Sequence, residues 1–364
     1  MKEQDCSAVY DDLIEMLEHL SLGWIAGQVA EVINTGRVVE EIVSGRKSPD
    51  LKLSYHTPSE QLLLLIGALE KAIVDSMEIE LDIAEAFIGQ ANKLTSPEIH
   101  FIASLSSRKS RINGADHTLA QGKKQLKTLK NSFNQLKQKI AQGQNSSLVE
   151  TIRDQLEPMI NSEVQTLGRN SNLYKYYIFN LILKAAQNEG ARIYYQDVLK
   201  HSPEQLIFRE HAGQIDDTSH GYTHAVIEFE NKPVLELHIG VKAQGRLRVL
   251  YDCDICILYK IEAERCRENQ RIPRASGILL IVDCQNYTAE LPLATAQAFI
   301  ALSSELRLTG GCYFVSNSAS DSVAKLLASR KRKWDYNIIP SLENNVNRLM
   351  YDFQGQFKDF KARH

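Results

Sequence analysis

The sequence predicts a two-domain chain of the α + α/β class, with a helical domain over residues 1–168 and an α/β domain over residues 171–364. Three observations predict it. The chain has 364 residues, which is room for two domains at about 100–200 residues each. Apolar residues of the first half recur at helical spacing, with a heptad pattern over 119–140. The second half contains short apolar runs bounded by turn residues, a pattern typical of strands.

Two long helices are predicted before residue 96. The first lies within 8–34, where leucines and Trp24 recur at helical spacing. The second begins at Pro58, with Ser59 as its expected N-cap. Residues 96–98, Ser-Pro-Glu, indicate a break and the start of a further helix. The apolar stripe of the second helix consists of Leu62, Ile66, Leu69 and Ile73.

The clearest periodicity is the heptad pattern of residues 119–140. Apolar residues fall there at alternating spacings of three and four, with one gap at Gly122, which is the a/d seam of a coiled coil. The seam consists of Leu119, Leu126, Leu129, Phe133, Leu136 and Ile140. The other faces carry Lys123, Lys124, Lys127, Lys130, Lys137 and Lys139.

This lysine-rich helix has two interpretations. One is an antiparallel helical hairpin with a solvated lysine face. The other is a helix that faces nucleic acid or mediates oligomerisation. Residues 108–139 contain nine basic residues and one acid, Asp116, an excess that favours phosphate contacts. The formal net charge of −3 hides this feature, because residues 1–98 have a net charge of −11 and residues 99–160 one of +6.

The second half is predicted to alternate strands and helices. Its order is a helix, an antiparallel meander, a central apolar strand, a crossover helix and a further strand, so the last two strands should be parallel neighbours. Helices are expected at 173–188, 292–308, 321–329 and 345–361, and a charged helix or loop at 260–275. Strands are expected within 191–209 and at 222–230, 233–241, 249–258, 277–285, 312–316 and 336–339.

Several classes of protein are excluded or disfavoured by missing patterns. No run reaches the ~18 consecutive apolar residues of a membrane-spanning helix, and no signal-peptide core follows Met1, so a cytoplasmic location is expected. The six cysteines are too scattered for a disulfide scaffold. Cys253-x-x-Cys256 lies in a predicted strand, where its thiols should point to opposite faces, which favours buried thiols over a zinc site. The chain lacks phosphate-loop, dinucleotide-binding and nucleophile-elbow motifs.

Acidic residues stand where two apolar strands should be buried. Strand alternation places Asp252 and Asp254 on one face of 250–258, and Asp283 and Gln285 end one face of 279–285. Carboxylates are costly to bury unless they are paired or bind a cation. Two acids from neighbouring strands form an oxygen-rich site suited to Mg²⁺ or Mn²⁺. The alternative is that these acids pair only with nearby arginines such as Arg246 and Arg248.

The two acid-bearing segments resemble motifs of a known family. Val-Leu-Tyr-Asp-Cys-Asp-Ile-Cys-Ile-Leu (249–258) and Leu-Leu-Ile-Val-Asp-Cys-Gln-Asn-Tyr (279–287) are similar to the two motif strands of the PD-(D/E)XK, or restriction-endonuclease-like, nucleases. The resemblance covers residues 171–340 and implies a restriction-endonuclease-like αβββαβ core. It also implies a metal site at Asp254 and Asp283, with Asp252 beside it and Gln285 orienting the attacking water. Many such nucleases serve in defence against foreign DNA.

Three residues depart from the family pattern. Gln285 stands where lysine is usual, Tyr251 where histidine is frequent, and Lys175 where the first helix often offers a glutamate. Glutamine cannot supply a cation to the phosphate. Two hypotheses therefore stand: a metal-dependent endonuclease acting on DNA or RNA, and an inactive nuclease fold that binds nucleic acid or a protein partner as a scaffold or sensor.

Further candidates are less specific. Glu236 and His238 share a strand face, which either lies near the acid site or is solvated; Glu228-x-Glu230-x-Lys232 matches acid-x-Lys but precedes a hairpin. The densest basic run, Arg330, Lys331, Arg332 and Lys333 before Trp334, is either a solvated helix end or a phosphate-binding patch. The expected partners are thus nucleic acid, bound non-specifically through Lys123, Lys127, Lys130 and this run, and a second copy or partner subunit bound through the helical half, with no membrane.

Overall fold

The structure is a computed structural model, which describes residues 10–15, 58–89, 95–98, 101, 115–142, 173–209, 211–287, 291–308 and 310–364. Of the first predicted helix, 10–15 are described and helical, and Leu13 is buried. The basic residues 108–111 and the helix expected from Leu148 lie outside the described residues. The chain divides into two compact units, Met1–Glu78 with Ala120–Gly168 (the first unit) and Ile79–Leu119 with Arg169–His364 (the second unit). The predicted domain bounds, 1–168 and 171–364, stay a prediction.

Two helices form the described core of the first unit. They are α1 (Pro58–Ile88), whose last ten residues belong to the second unit, and α2 (Ala115–Ala141). The ion pairs Lys130–Glu78 and Lys137–Glu70 show that the two helices run antiparallel, because the partner number falls as the α2 number rises. The buried heptad residues Leu129, Phe133, Leu136 and Ile140 share one core with Leu62, Leu65, Ile66, Leu69 and Ile73.

The heptad prediction is therefore confirmed for the described part of the seam, and the packing supports the helical-hairpin interpretation. Leu126 packs against the same core, whereas the side chain of Leu119 lies outside the described residues. Because the seam faces α1 of its own chain, an oligomer would have to use another surface.

The second unit is built on one seven-stranded sheet with the strands in chain order, β1 to β7. Neighbours are antiparallel from β1 to β5, and β5, β6 and β7 are parallel. The strands are β1 (Arg192–Asp197), β2 (Thr223–Glu228), β3 (Leu235–Gln244), β4 (Leu250–Tyr259), β5 (Ile278–Gln285), β6 (Cys312–Ser316) and β7 (Trp334–Asp335). The predicted parallel pairing of the last two core strands, β5 and β6, is confirmed.

Helices cover both faces of this sheet. They are α3 (173–188), α4 (Lys260–Asn269), α5 (Leu293–Leu306), α6 (Asp321–Ser329) and α7 (Glu343–Arg363). Residues of α3 and α7 form a large core with one face of the sheet, which we call the aromatic core; its largest members are Tyr174, Tyr176, Phe179, Phe353, Phe357 and Phe360. Residues of α4 and α5 pack with the other face, which we call the thiol core because it contains Cys253 and Cys256.

One strand was predicted in the wrong place. The sequence suggested 336–339, but the last strand is β7, where Trp334 and Asp335 pair with Phe314 and Val315. Asn337 has a left-handed φ of +55°, which interrupts an extended strand at that position.

The alternation of side chains breaks in the middle of β3 and β4. Ile239 and Ile255 lie in the aromatic core, whereas Val241 and Cys253, two positions away in each strand, lie in the thiol core. On β3, Gly240 lies between Ile239 and Val241 and has a φ of +69°. A Cβ at this position would lie 2.8 Å from the Cβ of Arg209. Glycine adopts this backbone conformation without strain and so reverses the pleat.

The reversal overturns one prediction. Cys253 and Cys256 were expected on opposite faces, but both belong to the thiol core. They are buried, and burial raises the pKa of both thiols, which agrees with their interpretation as buried apolar thiols.

Within the described ranges, no helix is long and apolar enough to cross a membrane.

Candidate functional site

The predicted acids meet where β4 and β5 separate. The antiparallel pairing of these strands ends at Ile255 and Val282. The residues that follow in the same register are Asp254 on β4 and Asp283 on β5, which therefore face each other. Asp254 Oδ2 accepts the backbone N–H of Cys284 at 2.9 Å. The carboxylate therefore satisfies a backbone donor that a strand partner would otherwise satisfy.

Lys175, on α3, completes this arrangement. Its ammonium lies 2.6 Å from Asp254 Oδ1, and its side chain is only 13% exposed. Burial lowers the pKa of Lys175, but the carboxylate of Asp254 outweighs it, so the pKa is raised overall and the side chain stays an ammonium. Lys175, which stands where the resembled family often has a glutamate, therefore contacts one of the two predicted acids.

The second acid, Asp283, is partly buried beside this ion pair. The side-chain amide of Gln285 donates a hydrogen bond to Asp283 Oδ1. Burial and the negative charge of Asp254 raise the pKa of Asp283 to about 7, although Gln285 and Lys175 act in the opposite direction. A carboxyl group that titrates near neutrality is suited to release or accept a proton, or to bind a cation that removes the repulsion.

We call Lys175, Asp254, Asp283 and Gln285 the acid–lysine cluster. The donor set fits a divalent cation such as Mg²⁺, because two carboxylates supply oxygen ligands and each oxygen has a second lone pair beside its present hydrogen bond. The β4–β5 register supports this fit, since it places the two carboxylates opposite each other, where a cation would relieve their repulsion.

The other predicted members of the site lie apart from this geometry. The side chain of Asp252 is exposed, and its strand neighbour is Lys242, so its role beside a metal stays a prediction. Arg246 and Arg248 are exposed residues of the turn between β3 and β4. The ion pair of Asp254 is made with Lys175 rather than with either arginine.

A second polar cluster lies on β2 and β3. Glu236 Oε2 lies 3.0 Å from His238 Nε2 and 3.5 Å from His224 Nε2, and the two imidazole rings stack with centroids 4.6 Å apart. All three side chains are buried. Arg267 of α4 reaches the same carboxylate with both terminal nitrogens. The expectation of a solvated strand face for Glu236 and His238 is therefore wrong.

The environment fixes the charges of this His–Glu cluster. Burial and the neighbouring His238 lower the pKa of His224, and burial lowers the pKa of His238 despite the opposing effect of Glu236. Burial raises the pKa of Glu236, but the hydrogen bond from His238 and the nearby positive charges outweigh it, so the pKa is lowered overall. Neutral imidazoles thus face an ionised carboxylate.

Sequence reasoning missed His224 and Arg267. Continuing the β2–β3 register beyond Ala225 and Leu237 places His224 opposite His238, so correct strand pairing would have found the histidine. The contact of Arg267 depends on how α4 packs, and no sequence spacing reports that.

The predicted nucleic-acid contacts on α2 lie in different surroundings. Lys123 and Lys127 have exposed side chains. Lys130 forms an ion pair with Glu78. Lys137 is likewise paired, with Glu70. Part of the positive charge of α2 is therefore neutralised within the first unit.

The basic run after α6 is divided in the same way. Arg330 and Lys331 are exposed. Arg332 donates to the Ser304 hydroxyl at 3.1 Å, and Lys333 pairs with Asp352. The indole N–H of Trp334 donates to Ser316 Oγ at 2.8 Å, so this ring packs on the sheet.

Protein-family models, curated proteins and solved structures all gave no match to the chain. Any functional assignment therefore depends on the geometry of these two clusters.

Proposed function

We propose that the second unit is a metal-dependent phosphodiesterase acting on DNA or RNA. The observation that carries the proposal is the acid–lysine cluster, in which Asp254 and Asp283 stand at facing positions of adjacent strands and a mostly buried ammonium pairs with Asp254. The restriction-endonuclease-like core is part of the same proposal. Its support is the order of elements: α3, an antiparallel meander through β5, the crossover helix α5, and β6 parallel to β5. A role in defence against foreign nucleic acid would follow from that family.

Each residue of the cluster has a distinct task in this proposal. Asp254 and Asp283 hold the cation, which when bound supplies Lewis-acid stabilisation of the phosphate and lowers the pKa of a nearby water. Lys175 stabilises negative charge that develops on the phosphate, a task that Gln285 cannot perform. Gln285 fixes the orientation of Asp283 and positions the attacking water through its amide.

The inactive-scaffold function remains the second candidate, and one observation favours it. Lys175 forms an ion pair with Asp254, as a purely structural pair of residues would. In that case the same unit binds nucleic acid or a protein partner without cleaving it.

A cleavage assay separates the two. The untagged full chain would be incubated with single- and double-stranded DNA and RNA, with Mg²⁺, with Mn²⁺ and with chelator. We expect metal-dependent cleavage that Asp254→Asn, Asp283→Asn and Lys175→Met each reduce about 100-fold or more. Matched controls are Asp359→Asn and Lys358→Met, which change exposed side chains of α7 and should keep full activity.

The outcome that overturns the proposal is equally specific. If the unchanged protein cleaves none of these substrates with either metal and still binds nucleic acid, the scaffold function replaces it. Cleavage that survives all three cluster substitutions would place the active site elsewhere.

A further inference from the structure

The His–Glu cluster brings three metal-ligating side chains together. His224, Glu236 and His238 each offer one ligand atom, and these atoms lie within 4.8 Å of one another. The two distances from a histidine Nε2 to Glu236 Oε2 are 3.5 and 3.0 Å. Ligand atoms on a tetrahedral Zn²⁺ lie about 3.3 Å apart, given bonds of about 2.0–2.1 Å. These two spacings match the edges of a metal coordination shell, and the two stacked imidazole rings would rotate out of their near-parallel arrangement to direct both lone pairs at one ion.

The strands hold this spacing before any cation is present. Glu236 and His238 are two residues apart on β3 and share a face, and the β2–β3 register places His224 opposite His238. All three residues are at least 97% buried. A site whose ligands are fixed by a sheet loses little conformational entropy when it binds an ion.

A cation already stands at two of the three ligands. One terminal nitrogen of Arg267 contacts Glu236 Oε2 and lies 3.5 Å from His224 Nε2. The other donates to Glu236 Oε1 at 3.3 Å. The guanidinium thus occupies the position that a metal ion would take against these two ligands, and its side chain, 11% exposed, reaches the cluster from α4.

We propose that His224, Glu236 and His238 form a buried binding site for a first-row divalent metal ion of the Zn²⁺ type, and that the ion displaces the terminal nitrogen of Arg267 from Glu236 Oε2. Two imidazoles and one carboxylate are a common ligand set for such ions. Arg267 keeps its hydrogen bond to Glu236 Oε1 and so orients the ligating carboxylate from outside the coordination shell.

This site is separate from the proposed nuclease centre and does not depend on it. Its ligands are nitrogen and oxygen atoms suited to a transition metal, whereas the acid–lysine cluster offers oxygen atoms suited to Mg²⁺. Because the site is buried and its three ligands lie on β2 and β3, we assign it a structural role, in which the ion links these two strands and α4 takes part only through the hydrogen bond from Arg267 to Glu236 Oε1.

Cobalt binding tests the proposal directly. The untagged full chain, stripped with chelator and dialysed, would be titrated with Co²⁺ while its visible absorption is recorded, and then with Zn²⁺ by calorimetry. We expect one ion per chain, a Co²⁺ band that Zn²⁺ abolishes, and a rise in melting temperature. His224→Gln and His238→Gln should each weaken binding ~10-fold or more. Arg267→Met should tighten it, because the competing guanidinium is gone.

Two controls separate this site from others. His201→Gln changes an exposed histidine whose partner is Asp197 and should leave the band unchanged. The double variant Asp254→Asn with Asp283→Asn should also keep it, which distinguishes failure of this inference from failure of the nuclease proposal. The absence of a Co²⁺ band in the unchanged chain overturns the proposal. Binding by Arg267→Met alone overturns it too, because the natural chain then keeps its own cation.

Discussion

The carboxylate of Asp254 accepts the backbone N–H of Cys284 at 2.9 Å, at the point where β4 and β5 cease to pair. The same carboxylate holds the ammonium of Lys175 through its other oxygen. One side chain therefore connects β4, β5 and α3 where the candidate site lies. This double task explains why an acid can be retained there even without catalysis, and it makes stability and activity separable by substitution.

The first prediction concerns that double task. Asp254→Ala leaves a mostly buried ammonium and a backbone donor without their acceptor, and should lower the free energy of unfolding by about 2–3 kcal/mol. Asp254→Asn keeps an oxygen for the Cys284 N–H and should cost less. Urea denaturation measures both, with Asp359→Ala as an exposed control that should stay within about 0.5 kcal/mol of the unchanged protein. Equal losses for Ala and Asn would contradict the hydrogen-bonding role.

The second prediction concerns pH. The pKa of Asp283 is raised to about 7 in the folded protein, whereas an unfolded aspartate titrates near ~3.9. Between these values the folded state binds more protons than the unfolded state, so stability falls as pH rises from about 4 to about 7. Asp283→Asn removes this dependence and should be the relatively more stable variant at pH 8. Denaturation of both proteins at pH 5 and pH 8 measures it; parallel pH dependence in the two would refute it.

The sequence was enough to predict the two acids but not the packing around them, and the reason is physical. Asp254 and Asp283 were placed together because each interrupts an apolar strand and because strands that follow one another in sequence are usually neighbours. The break in alternation, which falls at Gly240 on β3 and between Cys253 and Ile255 on β4, is not visible in the apolar pattern. The strand 312–316 and the helix 321–329 match their predicted bounds. Gly311 and Asn317 flank the strand, and Ser320 precedes the helix.

The third prediction concerns a buried tyrosine–glutamate contact in the second unit. Tyr195 donates its hydroxyl to Glu98 Oε1 at 2.8 Å, and the Thr95 N–H and hydroxyl occupy Oε2. Tyr195→Phe should lower stability by about 1.5–3 kcal/mol, because a carboxylate then lacks a donor in a buried place. Tyr194→Phe removes the matching bond to Glu228, which is more exposed, and should cost less. Chemical denaturation of the two variants compares them, and a reversed order would contradict the effect of burial.

The fourth prediction concerns the heptad seam of α2. Phe133 is buried against α1, so Phe133→Ala should destabilise the first unit by about 3–5 kcal/mol through the cavity it leaves. Gln135→Ala, two residues away on the exposed side, should change stability by less than about 0.5 kcal/mol. Far-UV circular dichroism recorded during thermal unfolding measures the stability change of both variants. If Phe133→Ala changed the oligomeric state rather than the stability, the seam would serve contacts between chains.

The fifth prediction divides the basic run after α6. Arg330, Lys331 and Lys333 are exposed, but Lys333 pairs with Asp352, and the less exposed Arg332 donates to the Ser304 hydroxyl. If this run binds phosphate, Arg330 and Lys331 make the contacts, because Arg332 and Lys333 would first have to break their own. Substituting Arg330 and Lys331 together by alanine should weaken binding to DNA of any sequence and lower the slope of log affinity against log salt by about 2, or ~0.9 per lost phosphate contact.

The matched variant for that measurement substitutes Arg332 and Lys333 by alanine. It removes the same formal charge, so an effect of net charge alone would weaken binding equally in both double variants. A site-specific contact predicts a changed salt slope only for the Arg330 and Lys331 variant, together with a loss of stability for the Arg332 and Lys333 variant, whose side chains support the fold. Fluorescence anisotropy at several salt concentrations provides the slopes. Identical slopes in the two variants would show that this run contributes only to the general electrostatic field.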